Sequence, residues 1–304
     1  EPVRLSGREG VNELFEYELL LKTPDSLNLG ASGAADFNLD DFIGREISCL
    51  IELDEGAPRE INALITEAAF WGEEGRHVQY RLTLRPWLHL AALSVDCRIF
   101  QNLSVVQILD ALLADYAFPL DKRLMERYPV RDYQTQYNES DFDFFCRLCE
   151  EWGISYHFEH AEGKHRLVLC DEMGAYRTSE NVAYRQIDYH PPGWKPDAEY
   201  LHSVVPRHQL TSGRYATRDY DYTRPRADLG ASRKAPRPTG QADQEVYQWH
   251  HPRAGSHPAQ PRAGAEAVND PQGDGHQLAL LRMQALRTHG ARMQASGNLR
   301  GMAA

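Results

Sequence analysis

The sequence predicts a mainly β protein with an α+β insertion: two β-rich units flanking a short helical stretch. Three observations carry this. Apolar residues alternate with period two through the first part of the chain. The period then lengthens to that of a helix over two segments. Alternation returns afterwards and runs on to a Pro/Gly-rich stretch near the end.

The first unit is read from four runs. Phe15, Tyr17, Leu19 and Leu21 share one face, with Glu16 and Glu18 on the other. Ile47, Cys49, Ile51 and Leu53 repeat the pattern, as do Ile61, Ala63 and Ile65. Val78, Tyr80, Leu82 and Leu84 form the clearest alternation, and Pro86 ends it. Short strands separated by Gly, Pro and Asp predict an antiparallel sheet or barrel. A one-residue slip would turn Tyr80 and Leu82 to solvent, so the register is well specified.

Ser104 opens the helical stretch. With Gln107 it has capping-box spacing, and Val105, Ile108, Leu109 and Leu112 line one face. A second helix is predicted over Ser140–Trp152. Ser140 is its cap, Asp141 and Asp143 suit its positive end, and Gly153 suits the left-handed position beyond it. Residues 154–170 read as a hairpin with a four-residue connection, Ala161-Glu162-Gly163-Lys164. Beyond Pro191, Pro192 and Pro196, alternation returns over Tyr200–Tyr222 and Glu245–Trp249, a second β-rich unit. Residues His250–Gly275 have linker composition, and a last helix is predicted from Gln277 to His289, ended by Gly290.

Composition sets outer limits. At 304 residues the chain has room for about two domains. Its 42% hydrophobic and 25% charged residues are ordinary for a globular protein. No apolar run approaches the ~18 residues of a membrane-spanning helix. Glu1-Pro2-Val3-Arg4 has no apolar signal core and no initiator Met, which reads as a piece of a longer protein. The net charge of −11 hides an asymmetry: residues 201–304 hold 14 basic and 8 acidic side chains, so the acidic excess lies in residues 1–200. The arginines are scattered, which argues against nucleic-acid binding. Five cysteines make no disulfide framework and fit a reducing compartment.

Candidate chemistry fares poorly. Cys146-x-x-Cys149 followed by His157 and His160 has the ligand types of a zinc site. However, two histidines three apart on a strand face opposite ways. The cysteines fall among Phe142, Phe145 and Trp152, where a thiol packs as a small hydrophobe. A thioredoxin-like role fails because both cysteines sit past the first turn of their helix. His250-His251, the pairs Asp40-Asp41 and Glu150-Glu151, and Gly273-Asp274-Gly275 in the linker have bland readings as loop or solvated residues. The residues therefore predict no catalytic site, no metal site and no cofactor.

A resemblance supplies what periodicity does not. Arg4–Phe15, the run Tyr137-Asn138-Glu139-Ser140-Asp141-Phe142 through Phe158, Asp219-Tyr220-Asp221-Tyr222 before Pro225, Ala285-Leu286-Arg287 and Gly297–Gly301 occur in family order over nearly the whole chain. They resemble the VgrG proteins, the spike-tip proteins of type VI secretion. That resemblance implies two related antiparallel β-barrel-like domains of the phage tail hub type. It places the first at 1–98, a helical and hairpin α+β insert at 99–175, the second at 176–250, and a linker and helix leading toward a spike at 251–304. It implies a homotrimer that matches a sixfold Hcp tube to a threefold needle. The other implied partners are baseplate components, effectors and their adaptors, with no nucleic acid and no stable membrane insertion. It also implies folding in the bacterial cytoplasm followed by injection. Family members continue past the point matching Ala304 into a small barrel and a needle. Alternatives are the hub of a phage or related contractile particle, and, from another class, a spike carrying a cell-wall hydrolase or a metal site.

Overall fold

The computed structural model describes residues 1–24, 37–53, 57–75, 77–177, 186–191, 193, 199–219, 225–249 and 271–300. Period-two alternation becomes an antiparallel sheet of five strands: β1 (Pro2–Arg8), β2 (Glu16–Lys22), β3 (Glu46–Ile51), β4 (Arg59–Glu74) and β5 (His77–Arg85). Their order is β1-β2-β5-β4-β3, a half-barrel whose edges are β1 and β3. The predicted inward residues Tyr17, Leu19, Tyr80, Leu82 and Leu84 are buried. β4 departs from simple alternation: Asn62 and Leu64 are buried as well as Ile61, Ala63 and Ile65. The cause is a second layer, because Asn62 Nδ2 donates to the Lys164 carbonyl at 3.0 Å on the far side. Register shifts at Ile65/Glu67 and Phe70/Gly72 then bend the long strand.

A 3-10 turn at Trp87–Ala92 leads into the α+β elements: β6 (Val95–Leu103), α1 (Val105–Leu113), β7 (Leu120–Arg123), β8 (Arg131–Ser140), α2 (Asp141–Trp152), β9 (Ser155–Ala161) and β10 (Lys164–Cys170). Both helices start as the sequence predicts. Ser104 and Gln107 close a capping box, and Ser140 accepts the Asp143 N–H at 3.0 Å. Gly153 takes the left-handed conformation at φ 70°. The hairpin is tighter than predicted. Ala161 pairs with Lys164, leaving a two-residue turn at Glu162-Gly163 with both φ positive, the geometry that follows strand twist. β6 and β8 form an antiparallel ribbon, and β7 pairs parallel to β10.

One hydrophobic core joins the half-barrel, both helices and the β9–β10 hairpin. Trp87 lies at its centre, stacked on Phe118 at 5.4 Å and Tyr116 at 6.0 Å. A second, smaller core lies further along the chain. β11 (Leu201–His208) pairs with β15 (Ala291–Gly297), and β13 (Leu229–Lys234), β12 (Arg214–Asp219) and β14 (Glu245–Trp249) form a three-stranded sheet. α3 (Pro271–Thr288) covers that sheet, burying Ala279 and Met283 on Tyr215 and Ala231.

The predicted linker requires correction at its end. Residues 271–275 are the first turns of α3, started by Pro271 at a position that needs no N–H donor. Gly275 is a packing residue, since a Cβ there would lie 3.3 Å from Ala231 Cβ. The rest of that stretch, with His250 and His251, lies outside the described residues, as do Tyr220–Tyr222, Pro192, Pro196 and the 301–304 end. Among the described residues no helix is long and apolar enough to cross a membrane.

Candidate assembly surfaces

The four residues of zinc-ligand type take separate partners. Cys149 is buried, and burial pushes its thiol well above the usual range. Cys146 is pushed up to about 11 by burial, with its Sγ 3.8 Å from the Tyr156 hydroxyl. His157 stacks on Tyr176 at 5.3 Å, with Nδ1 4.0 Å from Cys170 Sγ. His160 points into the other layer, where Nδ1 accepts the Asn62 N–H at 3.0 Å. Among the described residues no three His, Cys, Asp or Glu side chains converge on a metal position. The carboxylate pair Glu150-Glu151 is split: Glu150 is exposed as predicted and holds Arg282 of α3 at 2.8 Å, whereas Glu151 is buried against Arg131 at 2.8 Å. Asp40 and Asp41 are exposed.

Two histidines weld the half-barrel to the hairpin. His165 Nε2 accepts the Trp87 N–H at 2.8 Å, and His160 serves Asn62. Both act as acceptors, so both are neutral. Burial lowers His160 to about 4 and His165 to about 3; the Arg59 guanidinium adds to the first, and the two imidazoles disfavour being charged together. Arg59 lies close by, paired with Glu9 and donating to the Tyr17 hydroxyl at 3.1 Å. Sequence reading missed this pair, because nothing in a lone strand histidine says which backbone N–H it will meet.

The Glu139-Ser140-Asp141 run organises the start of α2. Asp141 is buried and accepts from Gln136 Nε2 at 2.8 Å, from the Tyr116 hydroxyl at 3.0 Å, and from Arg98. Glu139 pairs with Arg147, which also donates to the Thr135 carbonyl at 2.8 Å. These contacts tie α2 to the β6–β8 ribbon and to Tyr116 just beyond α1, and they pair the charges of this run. A cavity of about 60 Å³ lies between Asn62, Phe118 and His165, far below the ~300 Å³ at which small-molecule sites begin.

What the chain does present is exposed sheet surface. On the β6–β8 ribbon one face carries Arg98, Phe100, Gln134 and Gln136 inward. The opposite face holds Cys97 paired with Tyr137, Ile99 with Thr135, and Gln101 with Tyr133. Ile99 is 67% exposed and Tyr137 77%. β3 and the β11–β15 ribbon are likewise open, with Leu50, Val205 and Met293 exposed. Apolar side chains spread over open strands suit contact between folded chains better than chemistry.

Comparison with known proteins fits this picture. The sequence pattern of the phage tail baseplate hub (GPD) family matches residues 8–304. The chain belongs to that family. It is 31% identical to the type VI secretion system spike protein VgrG1b of Pseudomonas aeruginosa over 301 residues, 98% of this chain and 37% of that protein. The chain thus spans well under half the length of that relative. Among solved structures, the E. coli c3393 protein resembles it with a TM-score of 0.55 at 19% identity, covering 69% of this chain and 53% of that one. That protein is described as a component of the type VI secretion system, structurally similar to the T4 bacteriophage tail proteins gp27 and gp5. A Neisseria meningitidis tail protein matches 92% of this chain and 71% of its own, with a TM-score of 0.53 at 11% identity. The fold is therefore that of a tail hub: mainly β, with α+β insertions.

Proposed function

We propose that this chain is the hub portion of a type VI secretion spike. In this reading three copies form a ring, and each contributes two β units. Six similar surfaces then face a sixfold Hcp tube, while the threefold arrangement continues into a needle. The work is done by contact and symmetry matching, with no bond made or broken. Baseplate components, effectors and their adaptors are the further partners. The protein folds in the bacterial cytoplasm and leaves through the apparatus it tips.

The observation that carries this reading is 31% identity to a named spike protein over 98% of the chain. Identity at that level across both β units favours a secretion spike over a phage hub, which shares the fold. Relatives being structural spike and hub proteins, and a buried motif whose charges are already paired, both support a non-enzymatic role. Electron microscopy of the full-length protein mixed with tubes of its cognate tube protein is the test. The expected result is a cap at one end of each tube. Tubes that stay bare at saturating protein contradict the reading.

A further inference from the structure

The β11–β15 ribbon is an isolated pair of strands, exposed along most of its length. Two-stranded ribbons are marginal in water without a further partner. Arg207 stands directly opposite Arg292 in its register. Like charges so placed repel each other. Neither arginine reaches a carboxylate among the described residues; Arg292 touches His289 Nδ1 instead. No acidic residue occurs in either strand. On the same face, Val205 lies two residues before Arg207 and opposite Gln294. This face needs an anionic, partly apolar cover.

The same chain carries such a surface elsewhere. β3 is an edge strand, and Glu46, Ser48 and Leu50 alternate on its exposed face, with Glu52 continuing the series. Leu50 is 64% exposed. Leu50 and Glu52 are spaced as Val205 and Arg207 are, about 7 Å along a strand. Asp40 and Asp41 precede this edge and are exposed, as is Arg45 immediately before Glu46. We propose that the β11–β15 ribbon of one copy docks on the β3 edge of a second copy, head to tail. Leu50 packs against Val205, and the Glu52 carboxylate faces the Arg207–Arg292 pair. A head-to-tail contact uses two different patches of each chain, so it closes a ring when the rotation permits. It also gives the charge asymmetry along the chain a role, with each acidic first unit meeting a basic second one. This inference rests on the homotrimer reading and names its contact surfaces.

The test uses the full-length protein and sedimentation velocity. E52K and R207E/R292E are each expected to weaken association at least tenfold. All three substitutions in one chain restore it, because the contact then regains opposite charges. A photo-crosslinking residue at Gln294 in the otherwise unchanged chain is expected to label residues 40–53 of a different copy. If the unsubstituted protein fails to assemble, the homotrimer reading falls and this contact with it. If that protein assembles and either reversal leaves assembly intact, only the surface assignment falls. Loss without rescue, or labelling of another segment or another macromolecule, overturns the pairing of copies.

Discussion

At the scale of single residues, buried acceptors matter more than candidate ligands. His160 and His165 hold backbone N–H groups across two layers only while neutral. Their values near 4 and 3 lie below the ~6.5 of an unfolded histidine, so between those limits the unfolded chain binds more protons. The stability they contribute is complete above about pH 6.5 and falls as pH drops toward 3. His89 and His157, also lowered by burial, act in the same direction. Urea unfolding at pH 7 and pH 5 checks this. The expected loss between the two is on the order of 1–3 kcal/mol, in a range where carboxylates stay mostly ionised. An H165Q variant is expected to show a shallower dependence, and a flat profile from 6.5 to 5 contradicts the assignment.

At the scale of elements, the junction of α2 with α3 is set by one glycine. Gly153 needs its positive φ to end α2, and a Cβ there would approach Leu281 Cδ2 to 2.5 Å. Arg282 beside it reaches Glu150 of α2, so the second core is fastened to the first at this point. G153A is expected to cost about 1–3 kcal/mol in thermal or urea unfolding. Since Leu281 is the neighbour, L281A should make the second change less costly than the sum of the two. Strict additivity contradicts the contact.

Elements with local signals were legible in the sequence. Ser104, Ser140 and Gly153 mark helix ends through their own hydrogen bonds and dihedrals, and each stands where predicted. Half-barrel strands β2 to β5 were legible from their alternation, whereas β1, exposed along nearly its whole length, showed none. The β6–β8 ribbon and β15 were not, since their open faces carry mixed residues and their pairing partners lie far off in sequence. Gly275 misled for a related reason: its role depends on Ala231, which no local pattern connects to it. The docking face was equally hidden, because Arg207 and Arg292 become neighbours only through strand register.

At the scale of the whole molecule, the chain is a member of the phage tail baseplate hub family. Its charges are spent on internal pairs at Asp141, Arg147 and Glu151, while its edge strands stay open. Among the described residues the second core is much the smaller of the two. The central claim is threefold assembly, and native mass spectrometry of the full-length protein tests it most directly. The account predicts one dominant species at three times the chain mass, persisting on dilution. A monomer at every concentration, or a dominant species of another stoichiometry, contradicts it.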